Sequence, residues 1–321
     1  MRLLVIGGTE FFGKRIVEQS LARGDEVTVF TRGRRRPAFW DAIEHIRGDR
    51  TDHAAFVQAL RGRSFDVVVD NVAFERPDAE AVVEALGGRI GHCILTSSGS
   101  VYPDFEPPEA FRAIPEDAAD LSLRGDLAYA EGKRACEQAL HDQQAFPFTI
   151  IRPPIVQGPN DPSRRGWFWI QRVADGGPVL VPQKNPSCVW RQAYSGDIAA
   201  TVLLAAGNPA AFGKTYNVAS EEITSLDDFV RLVAEILDKP DPVVPVPHTV
   251  LSREAPWYRP TFAHRFVMDI TRITQDLGFS PTLLVQWLTE TVRWHLEANL
   301  EPSRGYGGRD QEIVLAQRLA R

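Results

Sequence analysis

The chain is poor in sulfur: three cysteines, Cys93, Cys136 and Cys188, stand far apart in 321 residues. Their odd number and lack of paired spacing argue against a disulfide framework and a zinc site, and suit reduced thiols in a cytoplasmic protein. The seven histidines show no metal spacing, so no metal is assigned. No apolar run approaches the ~18 residues of a membrane span, and the expected first strand begins at Arg2, which leaves no room for a signal peptide. A membrane partner is therefore not expected. Excess positive charge is missing too: 36 basic residues against 42 acidic ones leave a net charge of −6, which disfavours a general nucleic-acid binder. Internal repeats are absent. The 44% apolar and 24% charged composition is ordinary for a soluble globular protein, with length for one large core or two unequal ones.

What is present begins at residues 1–13, MRLLVIGGTEFFG. Leu3 to Ile6 form an apolar run of strand length, Gly7 and Gly8 break it, and Gly13 opens an amphipathic segment over 14–23. A dinucleotide fold needs this order at its first strand. Gly7 allows a tight turn, Gly8 keeps a Cβ out of the path of a pyrophosphate, and Gly13 permits close helix packing while helix amides face the phosphates. Gly7, Gly8, Thr9, Glu10, Phe11, Phe12 and Gly13 are thus candidate cofactor residues. In a Gly-x-x-Gly-x-x-Gly ladder the middle place is here Glu10, a carboxylate that must meet a cation such as Arg32 or Arg34, or accept from a ribose hydroxyl.

A second strand over 26–31 ends at Arg32 and Arg34, where dinucleotide folds place either an acid for the ribose hydroxyls or arginine for a 2′-phosphate. The guanidinium forks favour NADP, and Glu10 keeps NAD open. A third short strand over 43–46 leads to Asp49 and Arg50 in a loop running past the adenine. The strand over 65–69 ends at Asn71, Val72, Ala73 and Phe74, and the one over 92–96 delivers Ser97, Ser98, Ser100 and Tyr102 to the same carboxyl edge. Residues 103–126 are an acidic, proline-rich excursion of the kind that covers an active site. A helix over 127–143 carries Tyr129 and Lys133, and a strand over 148–151 exits through Pro153, Pro154 and Ile155. Alternating strands and helices read as α/β, a doubly wound Rossmann-type parallel sheet with a smaller C-terminal substrate lobe. The expected division is 1–157 with 193–218 returning to it, a lobe of 158–192 and 219–302, and a tail of 303–321 that is turn-rich over 303–308 and then ends in a short helix, with 240–247 a proline-rich connector.

Tyr129 and Lys133 lie four residues apart, on one helix face. An ammonium beside a phenol favours phenolate, drawing down a pKa that starts near ~10, so the tyrosine can exchange a proton with a hydroxyl or ketone. Ser98 is placed to hold the substrate oxygen. Candidate substrate contacts are Phe74, Ser98, Ser100, Tyr102, Pro154, Trp190 and Arg191, with Trp257 and Tyr258 as residues that close over the cleft.

This assembly resembles the extended short-chain dehydrogenase/reductase family, also called the NAD-dependent epimerase/dehydratase family, over roughly residues 1–237. The resemblance rests on the Gly7 to Gly13 turn, Asp49 in Gly-Asp-Arg, Thr96-Ser97-Ser98 before Val101-Tyr102, Tyr129 with Lys133, Arg152-Pro153 leading to Gly158-Pro159, and Asp197-Ile198-Ala199. It is most similar to an atypical branch with Gly-Gly-Thr-Arg-Phe-x-Gly at the turn, in which arginine stands at the place of Glu10. The resemblance implies Ser98 as orienting residue, Tyr129 as acid/base and Lys133 as its support, acting in hydride transfer at a secondary alcohol or ketone. It equally implies, as an alternative, epimerisation of a sugar or sugar nucleotide through a transient ketone. Family dehydratases carry Thr-Asp-Glu where this chain has Ser98-Gly99-Ser100, which argues against water elimination. Trp190 occupies the place of an arginine that binds diphosphate in nucleotide-sugar members. A small-molecule substrate is implied, and pairing through two helices into a homodimer is common in the family. A nearby branch includes chloroplast RNA-associated members, which makes a non-catalytic RNA- or protein-binding role the rival from another class.

Overall fold

The computed structural model describes residues 1–103, 113–125, 127–183, 189–258 and 266–319. Its elements run β1 (Arg2–Ile6), α1 (Phe11–Ala22), β2 (Glu26–Thr31), β3 (Glu44–Arg47), α2 (His53–Leu60), β4 (Phe65–Asp70), α3 (Arg76–Leu86), β5 (Ile90–Thr96), α4 (Ala128–Asp142), β6 (Phe148–Arg152) and β7 (Val156–Gln157). They continue through α5 (Trp167–Ala174), β8 (Val179–Gln183), β9 (Val189–Trp190), β10 (Ala193–Tyr194), α6 (Ser195–Ala205), β11 (Lys214–Asn217), β12 (Thr224–Ser225), α7 (Leu226–Ile236), β13 (Val243–Pro247), α8 (His248–Glu254), α9 (Thr271–Leu277), α10 (Leu284–Glu297) and α11 (Arg309–Leu319).

Seven strands form one parallel sheet in the order β11-β6-β5-β4-β1-β2-β3. The chain is a doubly wound α/β fold. Its strands are near-continuous apolar runs because helices cover both faces. Within β1, Leu3 and Val5 face the core shared with Ile16 and Val17 of α1 and Ile198 and Val202 of α6. Leu4 and Ile6 face the opposite core, with Phe56 and Leu60 of α2, Val82 of α3 and Leu140 of α4. Strand order reverses beside β1, where Ile6 pairs Phe30 of β2 on one side and Asp70 of β4 on the other. Ligands of such sheets gather outside the carboxyl ends at that reversal.

A third core collects Trp167, Phe168 and Trp169 of α5, Phe229 and Val233 of α7, Trp287 and Leu288 of α10, and Leu315 and Ala316 of α11. One expectation changes here. The proline-rich stretch is not a mere connector: β13 pairs in parallel with β8 from Val243↔Val179 to Pro247↔Gln183. Pro245 and Pro247 alternate along it, so both missing donors fall on one side, the arrangement an edge strand tolerates. Residues 309–319 form the expected helical end, and it is docked, with Glu312 fully buried against Arg172.

Candidate functional site

Three segments build the site at the carboxyl edge: the turn after β1, the ends of β4 and β5, and the start of α4. Gly7 has φ of +85°, and a Cβ on it would lie 2.7 Å from Val72 Cγ1. A Cβ on Gly13 would overlap the Gly7 carbonyl oxygen, so α1 seats directly on the turn. Gly8 serves a purpose other than the expected one. Its Cβ would enter the core, 2.8 Å from Val17 Cγ2, so packing rather than phosphate clearance demands it. Thr9, Phe11 and Phe12 are half-buried around the turn, with the two phenylalanine rings 5.4 Å apart. Glu10 places no side-chain cap on α1 and instead meets Arg35 at 2.8 Å, not Arg32 or Arg34.

These residues fit a dinucleotide on two observations. The uncapped start of a 12-residue helix stands over the turn, the setting that attracts phosphate. Beside it the buried Asn71 amide nitrogen has no partner among the described residues and would lie 3.3 Å from a Cβ at Gly13. Its oxygen accepts from Thr96 Oγ1 at 2.8 Å. Buried donors are rarely left unpaired, so this amide suits a polar ligand in the crevice. Arg32 and Arg34 are exposed and carry no ion pair among the described residues. Asp49, exposed beside them, is engaged by the backbone and hydroxyl of Thr51, which hold its carboxyl below the usual range with help from both arginines.

Tyr129 sits in the first turn of α4, 45% exposed, and its hydroxyl makes no hydrogen bond among the described residues. Lys133, one turn on, is 2% exposed. Its ammonium donates to the carbonyls of Ala73 at 2.7 Å and Thr96 at 2.9 Å, lies 4.7 Å from the Phe74 ring centroid, and is 5.9 Å from that of Tyr129. Burial pushes its pKa below the ordinary lysine value. Gly132 makes this approach feasible, since a Cβ there would overlap the Phe74 carbonyl oxygen. The Phe74 ring, 48% exposed, stands 6.2 Å from that of Tyr129. Ser98 follows β5 half-buried, its hydroxyl 3.2 Å from that of Ser100, which is exposed. Pro153 accepts from the Gly99 amide at 2.7 Å, while Pro154 and Ile155 are half-buried beyond β6.

Other candidates turn out to be committed elsewhere. Arg50 is buried, bonded to Asp70 at 3.0 Å and to the Asp78 carbonyl, with its guanidinium 4.2 Å from the Phe56 ring centroid; it ties β4 to α3 rather than reaching a cofactor. Tyr102 is buried, donating to Asn217 at 2.5 Å and accepting from Arg152 at 3.1 Å, and burial pushes its pKa up to about 12. Arg152 in turn grips the fully buried Glu137 with two nitrogens. Trp190 belongs to the third core and pairs Thr224. Arg191 donates to the Met268 carbonyl at 2.8 Å. Tyr258 does not close over a cleft: it is buried in the third core, bonded to the Leu180 carbonyl. Cys188 lies outside the described residues. Sequence reasoning missed Arg35 as the partner of Glu10, although the arginine run was in view. It also missed the two carbonyls under Lys133, which no side-chain pattern announces. Among the described residues no cluster of possible metal ligands occurs, and no helix is long and apolar enough to cross a membrane.

The sheet order and the glycine turn put the chain in the doubly wound α/β class. The chain belongs to the NAD dependent epimerase/dehydratase family, a family of enzymes whose model matches residues 3–219. It is similar in fold to the UDP-glucose 4-epimerase of Thermotoga maritima solved with UDP-glucose, at 18% identity and a TM-score of 0.74, covering 93% of this chain and 99% of that one. The Thermus thermophilus UDP-glucose 4-epimerase in complex with NAD gives 24% identity and a TM-score of 0.72, over 93% and 100% of the two chains. In sequence it is 27% identical to the chloroplast stem-loop binding protein of 41 kDa b of Arabidopsis thaliana, over 95% of this chain and 80% of the relative.

Proposed function

We propose that the protein exchanges hydride between a bound nicotinamide dinucleotide and the carbinol carbon of a small secondary alcohol or ketone, with Tyr129 as acid/base. The observation that carries the proposal is the half-exposed Tyr129 phenol one turn from a buried ammonium that is fixed by the Ala73 and Thr96 carbonyls. The dinucleotide, when bound, supplies or accepts the hydride. The chain's own residues do the rest. Tyr129 takes the hydroxyl proton as a ketone forms and returns it as the ketone is reduced. Lys133 keeps a positive charge close to that phenol at every stage. Ser98, across the edge, donates to the substrate oxygen and holds its carbon toward the crevice. At the turn, the amides of α1 and the Asn71 amide hold the pyrophosphate side, while Arg32 and Arg34 receive a 2′-phosphate and favour NADP over NAD.

The same residues serve epimerisation through a transient ketone, the reaction named for both bacterial neighbours. Mixing the protein with NAD or NADP and each of a panel of secondary alcohols, UDP-glucose included, and following reduced nicotinamide by absorbance separates the two. Net accumulation marks an oxidoreductase, and a transient that returns to baseline marks an epimerase. Replacing Tyr129 by Phe should lower either rate by about 10²- to 10⁴-fold with dinucleotide affinity intact; an unchanged rate overturns the mechanism. A second reading takes its support from the Arabidopsis relative's name and from exposed Arg32, Arg34 and Arg47 on one edge. A stem-loop RNA that binds at physiological salt and is displaced by NADP would favour it.

A further inference from the structure

The middle position of the turn carries a charge opposite to what an anionic cofactor wants. Glu10 ends in a carboxylate that does not cap its own helix and rests on Arg35 at 2.8 Å. β1 and β2 are neighbours in parallel register, so the turn and the arginine loop leave adjacent strand ends and the ion pair bridges the gap between them. We infer that Glu10 is a specificity-determining residue for the dinucleotide, a negative charge held in check by Arg35 and uncovered when Arg35 is drawn away. The inference rests on the reading of this turn as a dinucleotide site.

The fold does not explain the pair. The two side chains are 35% and 63% exposed, and an exposed ion pair adds little to stability. The loop distributes its other arginines differently. Arg32 and Arg34 are exposed without ion pairs among the described residues, and the Arg36 guanidinium stands 5.5 Å from the centre of the Trp40 ring. Two forks are therefore open to a phosphate, and the third is engaged by Glu10. A pyrophosphate alone meets a neutralised pair. A 2′-phosphate dianion competes for Arg35 and leaves the carboxylate bare beside the diphosphate, where like charges repel. The burden of Glu10 thus falls more heavily on NADP than on NAD.

Titration calorimetry of the full chain with NAD and with NADP at low salt, across Glu10→Gln, Arg35→Ala and the double variant, tests this. Glu10→Gln should tighten NADP about tenfold and NAD about threefold, the scale of one nearby charge in a solvent-screened site. Arg35→Ala should weaken NAD about threefold in the wild-type background and less than twofold beside Glu10→Gln, a coupling that packing changes alone do not produce. Thermal unfolding of the variants without nucleotide should match the wild type, as befits an exposed pair. Unchanged or weaker binding in Glu10→Gln, or strictly additive effects, overturns the inference while the cofactor reading stands. Failure of both the wild type and Glu10→Gln to bind either dinucleotide overturns that reading, and the inference with it.

Discussion

Arg32 and Arg34 stand exposed and, among the described residues, without ion pairs at the carboxyl edge of the sheet, whereas Arg172 in the third core is fully buried. Arg172 gives Nε at 2.9 Å and Nη2 at 2.7 Å to the two oxygens of Glu312, and its guanidinium lies 3.8 Å from the Phe168 ring centroid. Residue type is the same and the task is opposite. A buried guanidinium must be matched on the spot, because an unpaired charge out of water is intolerable. An exposed one keeps its hydration and its freedom to meet a ligand. The contrast teaches that binding capacity lies with the arginines that the fold leaves unmatched.

The sharpest way to break that comparison is to leave Arg172 without its partner. Glu312→Ala should cost about 3–5 kcal/mol in denaturant-induced unfolding, and a loss below about 1 kcal/mol would mean that the buried pair does not hold α11. A second probe extends the contrast to a neutral polar group. His92 is fully buried, bonded to Thr149 at 2.9 Å and accepting from the Gly207 amide at 3.2 Å, and burial brings its pKa down to about 4. The unfolded chain, titrating near ~6.5, binds this proton first as pH falls. Stability from His92 is thus complete above pH ~6.5 and is lost between there and pH ~4, by about 3 kcal/mol. Unfolding free energy measured against pH should show that slope, and a His92→Gln variant should flatten it. Third, replacing Arg32 and Arg34 together by alanine should weaken NADP about 10- to 100-fold with NAD unaffected. Stability should move by less than about 0.5 kcal/mol; equal losses for both nucleotides would assign the arginines to another ligand. Smallest of all, Tyr258→Phe removes one buried hydroxyl bond and should cost about 1 kcal/mol with dinucleotide affinity untouched. A change in affinity would restore that tyrosine to the cleft.

The parallel sheet was legible because strands covered on both faces must be continuous apolar runs, and Leu3 to Ile6 or Val67 to Val69 admit little else. The carboxyl edge was legible too, since a strand end followed by Asn71, Ser98 or Arg32 names what reaches it. Roles that depend on distant partners were not. Arg50 finds Asp70 and Asp78, Tyr102 finds Asn217, and Arg172 finds Glu312 across 140 positions, and no local pattern carries such pairings. The docking of α11 escaped the sequence for the same reason: Arg309 and Glu312 are buried beside Leu315 and Ala316 by partners far away in the chain.

The Lys133 ammonium joins the chain just beyond β4 to the last residue of β5, through the carbonyls of Ala73 and Thr96. That single cation is therefore a stitch in the seam between two strand ends as well as a neighbour of the phenol. Activity lost on replacing it would have two indistinguishable origins, a slackened seam and a missing charge. Tyr129, whose hydroxyl makes no hydrogen bond among the described residues, is the position where chemistry can be removed alone.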